Sequence, residues 1–386
     1  MSYILGISSA VPEFQIRNDN LVQFYLRAFP SDEGERLKRK LNLLGRKTKI
    51  NTRYSCIPDF NGNEHELYIN GDYKQPVEKR MELYKEKAIP LSSKAIDAVL
   101  LQAGMKPADF THLITVSCTG LMTPGLELLI AERYGLEHAE KSAVNFLGCY
   151  AALKALKQAH YIAQANPKAC ILILSVELCS LHFYPSDVNE DITANFLFAD
   201  GAAGVIVCGN ENKNVKDKVV LQIDDVGSAL IPRTVDLMKW NLSASAFRMY
   251  LSPEVVTAIR NNILDVADKF LENRKHKMDY WAIHPGGIKI VEACQEGLGL
   301  NDEQVADSIK IMQEYGNMSS PTILFILRKI LNDILSSENP PDKKIFSCAF
   351  GPGLNIEMIK FSSVNTGSSK KSHATDGFAP LLSAGD

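Results

Sequence analysis

The sequence predicts an α/β fold made of two pseudo-duplicated halves. Three observations carry this expectation. The same order of strands and helices recurs in the first and second parts of the chain. Strand-length, mostly apolar runs such as ACILILSVEL and GAAGVIVCG close the first half. The segment from Met318 onward is apolar all round over Ile323, Leu324, Phe325, Ile326 and Leu327, which asks for a helix buried on every side, as between two sheets.

The elements follow in order. The opening MSYILGISSAVPEF lacks a positive leader region and has a very short apolar run, so it reads as a first strand rather than a signal peptide. IDAVLLQAG is helical, THLITVSCTG a strand ending in a loop, and PGLELLIAERYGL helical again. SAVNFLGCYAALKALKQAH runs from strand straight into helix, and the two apolar strands close the half. The second half repeats this: PEVVTAIRNNILDVADKFL helical, DYWAIHPGG a strand ending in a loop, IKIVEACQEGLGL helical. IKIMQEYGNMSSPTILFILRKIL bends into a helix, and KIFSCAFGPGLNIEMIKF forms the last strands. The polar stretch Asn210 to Lys218 is the expected seam, giving halves at 1–209 and 219–361. The small polar residues from Ser362 to Asp386 predict a disordered tail.

Composition narrows the function. The chain has 386 residues, 46% of them hydrophobic, and a formal charge of −3. The near-neutral balance argues against nucleic acid as the main partner, and no run reaches the roughly 18 apolar residues of a membrane span. A soluble, cytoplasmic protein is expected. The eight cysteines are scattered without metal-ligand spacing, so most are expected to be free and buried, and neither a disulfide framework nor a metal site is expected.

Three residues stand out chemically. Cys149 follows Gly148 where a strand turns into a helix, and a helix N-terminus favours a thiolate nucleophile. His284 ends a strand in front of Pro and two Gly. Asn317 follows Gly316 in YGNMSSP, and an amide there acts only by hydrogen bonding. Taken singly, each has a plain structural explanation: a small buried residue, a satisfied histidine, a helix cap. Their placement tips the balance. Cys149 and Asn317 occupy equivalent places after a glycine, each opening a helix, and Cys118 and His284 equivalent strand ends, so packing about a pseudo-twofold axis brings all four together.

Five motifs, in order, resemble the thiolase superfamily and more closely the type III polyketide synthases related to chalcone synthase, including bacterial members. They are GCYAA at Cys149, FADGAAG at Phe198 to Gly204, IHPGG at His284, YGNMSS at Asn317 and FGPGLNIEM at Phe350. The resemblance covers Met1 to about Phe361. It implies a thiolase-like five-layer αβαβα sandwich, a homodimer, and iterative use of malonyl-CoA without a carrier-protein domain or any cofactor, CoA thioesters being the substrates. By position it makes Cys149 the acyl-bearing nucleophile, and His284 and Asn317 the pair that decarboxylates malonyl-CoA and holds the thioester carbonyl. Phe198 matches a gatekeeper between CoA tunnel and cavity, and Phe247 a second one. Gly351, Pro352 and Gly353 match a loop shaping the cavity, and Ser319 falls among the substrate-binding residues. Lys40 and Lys47 match CoA-phosphate binders. A third such position is Leu43, for which Arg46 is a neighbouring substitute. Cys118, His182 and Met238 stand where plant enzymes carry threonine, threonine and glycine. These departures point away from an aromatic starter, toward an aliphatic acyl-CoA and a pyrone or resorcinol product. The rivals are a ketoacyl-acyl-carrier-protein synthase III, a Cys-His-Asn thioester hydrolase, and a silent acyl-CoA-binding protein. IHPGG and GNMS, in place of HQAN and GNTS, favour the polyketide branch over the first.

Overall fold

The structure, a computed structural model, describes residues 1–29, 34–62, 64–69, 72–337 and 342–367. The chain opens with β1 (Ser2–Ala10), as the N-terminal run predicts. A small hairpin of β2 (Phe14–Arg17) and β3 (Thr52–Ser55) brackets α1 (Asn18–Arg27) and α2 (Gly34–Lys47). The long helix α3 (Val77–Ala103) leads into β4 (His112–Ser117), α4 (Leu126–Tyr134) and β5 (Glu140–Asn145). Then come α5 (Ala151–Ala165), β6 (Cys170–Leu178), α6 (Asn189–Leu197) and β7 (Asp200–Gly209).

The second half starts with β8 (Val219–Leu230) and a hairpin of β9 (Met238–Leu242) and β10 (Phe247–Leu251). It continues through α7 (Glu254–Phe270), β11 (Tyr280–Ile283), α8 (Ile288–Leu298) and α9 (Asp302–Tyr315). α10 (Thr322–Leu335), β12 (Lys344–Gly351) and β13 (Asn355–Asn365) complete it. β13 pairs with β8 out to Asn365, so the stretch expected to be a tail from Ser362 begins as sheet. Val364 packs against the core beneath α3, and the four residues to Asn365 pair in the ladder with Gln222 to Val219 of β8. Residues 368–386 of that stretch lie outside the described residues.

The duplication is written in the strand pairing. β1–β7 and β7–β6 are antiparallel, while β6–β4 and β4–β5 are parallel. The second half repeats it, with β8–β13 and β13–β12 antiparallel and β12–β11 parallel. The halves join where Ser2–Ile4 of β1 pairs with β8, giving the order β11-β12-β13-β8-β1-β7-β6-β4-β5. Among the described residues nothing in the second half corresponds to β5.

Alternation along the strands makes the layers. In β6, Leu172, Leu174 and Val176 join the core beneath α3, whereas Ile171 and Ile173 face a central core shared with α5 and α10. In the second half, Trp281, Phe346 and Met358 pack under α7 and α8, while Ala282, Ile345 and Ile359 face the same central core. The result is five layers, with α5 and α10 sandwiched. α10 is buried at every position from Thr322 to Leu327 and shows polar residues only beyond that point. α5 fits because Ala151, Ala155, Ala159 and Ala163, four residues apart, form a buried ridge of small side chains. Among the described residues no helix is long and apolar enough to cross a membrane.

Candidate active site

Cys149 is placed by a turn that demands glycine. After β5, Gly148 adopts φ +77°, and a Cβ there would stand 2.9 Å from Pro352 Cδ. Both facts exclude a side chain. Cys149 then sits in a short 3-10 turn, Gly148–Tyr150, that runs into α5. Gly351 supports the same turn, since a Cβ on it would strike the Tyr150 ring at 2.4 Å. The Gly351-Pro352-Gly353 loop therefore packs on the cysteine turn, and Pro352 lines a cavity with Cys149.

The thiol is 8% exposed and points to Ser319 Oγ at 3.6 Å. Burial pushes its pKa up to about 11, against the pull of hydrogen bonds from Ser319 and Asn317. Asn317 differs from the expectation that it opens a helix: α10 starts five residues later, at Thr322. Pro321 is the N-cap of α10, where its missing N–H costs no helix hydrogen bond, and Asn317 is left to bridge the halves. Its N–H donates to Leu197 O (3.0 Å) and its carbonyl accepts from Ala199 N (2.9 Å), clasping Phe198 between them. Its Oδ1 accepts from Ser319 N at 2.8 Å. That bond fixes the amide and leaves the NH2 group as the outward donor.

His284 follows β11 directly and is fully buried. Its backbone N–H donates to Cys348 O (2.9 Å), yet neither ring nitrogen has a hydrogen-bond partner. Burial pushes the imidazole pKa down to about 3, so it is neutral at rest. An unpartnered buried imidazole is costly and marks a group held ready for something that enters. Cys149, His284 and Asn317 line one cavity with Phe198, Met238 and Met249. The second cavity beside Cys149 is lined by Cys118, Ser319 and Pro352. A larger one, about 380 Å³, leads from the surface past Lys47 to Phe198.

Phe198 lines all of these cavities. It is not in an apolar strand; it caps α6 just before β7, is half-buried, and packs against the cluster of Ile50, Leu197, Ile288 and Met312 while its exposed part faces the cavities. Phe247 lines a further cavity with Phe198, Met249 and Trp240. It is 1% exposed, stacks on His182 at 4.2 Å and is absent from the cavities that touch Cys149. Met249, two residues on and on the same face of β10, lines every cavity that Phe198 lines. Sequence reasoning missed it, although the alternation Phe247, Met249, Leu251 carried the signal.

His182 is a wall residue. One ring nitrogen, Nε2, pairs with Thr119 O at 2.7 Å and Nδ1 accepts from Phe247 N at 3.2 Å. Only a neutral ring with hydrogen on Nε2 satisfies both, and burial indeed drives its pKa down to about 3. Trp240 meets both rings edge-on and donates to Cys118 O at 2.8 Å.

A second missed residue is Glu177, a fully buried acid inside the apolar run of β6. It accepts from Cys118 N (3.0 Å), Cys118 Sγ (3.2 Å), Thr119 Oγ1 (2.7 Å) and Ser320 Oγ (2.5 Å). Desolvation raises its pKa while these donors lower it. Cys118 Sγ also meets Ser319 Oγ at 3.4 Å, so a hydrogen-bonded chain runs from Glu177 to Cys149. Of the expected CoA-binding cations, Lys47 lines the entrance cavity. Lys40 and Arg46 do not line it, and Lys40 donates to the Asp187 carbonyl. Leu43 is exposed. All eight cysteines are free and buried.

A buried thiol, imidazole and amide converge from two duplicated halves of a thiolase-like fold. Residues 1–211 match the chalcone and stilbene synthase N-terminal domain, and residues 222–365 match the C-terminal domain. The chain belongs to that family: it is a type III polyketide synthase, an acyltransferase. Polyketide synthase 37 of Dictyostelium discoideum is 29% identical over 84% of this chain, which spans 11% of that protein's length. Type III polyketide synthase A of Arabidopsis thaliana is 26% identical over 94% of this chain and 93% of its own. The crystal structure of PKS-I from the brown alga Ectocarpus siliculosus superposes with a TM-score of 0.85 at 30% identity, covering 94% of this chain and 98% of the alga's.

Proposed function

We propose that the protein loads an aliphatic acyl-CoA starter on Cys149, extends it with malonyl-CoA, and releases a cyclised pyrone or resorcinol-type product. The observation that carries this reading is the convergence of Cys149, His284 and Asn317 in one otherwise apolar cavity behind Phe198. Cys149 gives its proton to the neutral His284 and attacks the starter thioester. The C–S bond to CoA breaks, and CoA leaves as the thiol with that proton. A malonyl thioester then loses CO2, and the electron pair of the broken C–C bond becomes an enolate. The ring N–H of His284 and the NH2 of Asn317 hold the enolate oxygen. Its carbon attacks the acyl group on Cys149, the new C–C bond forms, and the thiolate is released for the next round.

The aliphatic starter is supported by Leu197, Met238, Met249, Leu251 and Ile290 around the cysteine. Aromatic wall residues His182, Phe247 and Trp240 fill the space beyond. The hydrogen-bonded chain Glu177–Cys118–Ser319 would supply a route for proton exchange during cyclisation. We also infer a homodimer in the cytoplasm. β5 ends the sheet with one edge open, its residues mostly exposed, and an open edge of that kind is ready to pair with a second copy. Incubation with malonyl-CoA and a series of acyl-CoA starters, without carrier protein, followed by mass spectrometry, tests the reading. Multiply extended products from medium-chain starters are expected; a single condensation that needs carrier protein would sink it. Sedimentation should show a dimer.

A further inference from the structure

CoA carries several negative phosphates on a long, mostly uncharged arm, so a protein that takes its thioesters needs cations at the mouth of an apolar tunnel. The α2 wall of the mouth is short of one. Leu43 stands 56% exposed where a cation was expected, and Lys40 is turned to the Asp187 carbonyl. On the opposite wall, Lys289 in the first turn of α8 is exposed and lines the same entrance cavity as Lys47. Among the described residues neither lysine makes an ion pair. Lys49, by contrast, is tied to Glu292 at 3.2 Å, one turn along α8. One carboxylate among the described residues, Glu190, lines the cavity with them, which leaves the mouth net positive. Inward, Leu197, Leu251 and Val255 turn the walls apolar before Phe198 is reached.

We propose that Lys289 binds a phosphate of the incoming CoA thioester from across the mouth, taking the part that position 43 does not play. The nucleotide end is thereby gripped between α2 and α8 rather than along α2 alone, with Lys47 and Lys289 as the two poles. Lysine acts here as a point charge on a flexible stem, so the grip is electrostatic and salt-sensitive. The inference rests on CoA thioesters entering by this cavity.

Calorimetric titration of the full chain with free CoA and with pantetheine, which lacks the phosphates and nucleotide, tests it. Lys289→Ala is expected to weaken CoA binding about fivefold at low salt, a loss that shrinks on adding salt to about 0.5 M. Lys289→Arg should keep the affinity, and pantetheine should not distinguish the variants. Unchanged CoA binding in Lys289→Ala overturns the proposal. So does an equal loss of pantetheine, which would signal a disturbed tunnel rather than a lost charge. Because free CoA is not turned over, the result stands apart from the product test: a protein that binds CoA through Lys289 yet condenses nothing would defeat the polyketide reading alone.

Discussion

The two halves build the same ladder of strands and finish it differently. In the first half the chain leaves α4 into β5, an edge strand, and returns through the Gly148 turn to present Cys149. In the second it leaves α8 into α9, a helix that packs on β11, and returns through Gly316 to Asn317. The matched strand ends diverge as well. Cys118 has its side chain bound to Glu177 and Ser319, whereas His284 has no partner on either ring nitrogen. Duplication thus supplied the scaffold, and the difference supplied the chemistry. The first half surrounds Cys149 and Cys118 with hydrogen-bonded polar groups, and the second leaves the His284 ring without a partner.

The strongest way to break this comparison is to remove the nucleophile. Cys149→Ala should abolish the acyl adduct seen by intact-protein mass spectrometry and reduce product to background; adduct at full yield would show that another residue carries the acyl group. Removing the open donors comes next. Asn317→Ala should cut malonyl-CoA decarboxylation by about 10²–10³-fold, the cost of one oxyanion donor, while starter loading persists. Carbon dioxide release and adduct formation, measured on the same variant, separate the two steps. An equal loss in both would mean that Asn317 holds the fold of the site rather than the enolate.

Disturbing the satisfied side should act on stability instead. Glu177→Ala leaves Cys118 N–H, Thr119 and Ser320 without their buried acceptor, and roughly 2–4 kcal/mol of stability should go, read from the midpoint of urea unfolding. Met249 and Phe247 sharpen the point within one strand. Met249→Ala should change the product profile, because Met249 lines each cavity around the cysteine. Phe247→Ala should cost about 3–4 kcal/mol in stability, since its ring is packed on His182.

Much of this was legible in the sequence, because it rests on short-range patterns. Apolar runs gave the buried strands, the glycine before Cys149 gave the turn, and the strand-end position gave His284. What stayed hidden depends on long-range placement. That Asn317 stops short of α10 and instead bridges to Phe198 follows from Leu197 and Ala199, more than a hundred residues away. Glu177 looked like one polar letter in an apolar strand until five donors and near-donors gathered around it from other elements. Met249 escaped notice because which residue of that face of β10 reaches the cavities beside the cysteine depends on the packing of His182 against Phe247.

The smallest effect compares the two buried histidines. Both have their pKa driven down to about 3 by burial, well below the value near 6.5 of an unfolded chain. For such a group the unfolded state binds the extra proton between those limits. Its contribution to stability is therefore complete above about pH 6.5 and lost as pH falls toward 3. Asp200, raised to about 6 by burial, works in the opposite sense over part of that window, so the absolute slope is a sum and the informative quantity is a difference. His182 holds a structural position with both nitrogens bonded, and His182→Asn should flatten the dependence of unfolding free energy on pH between about 6 and 4. The expected change is about one proton, or roughly 1.4 kcal/mol per pH unit. His284→Asn should flatten it by the same amount, for desolvation acts on both rings alike. If His182→Asn leaves the slope unchanged while His284→Asn flattens it, the Thr119 carbonyl holds a proton on His182 well above pH 3, and the wall beside the cavity carries a charge at mildly acidic pH.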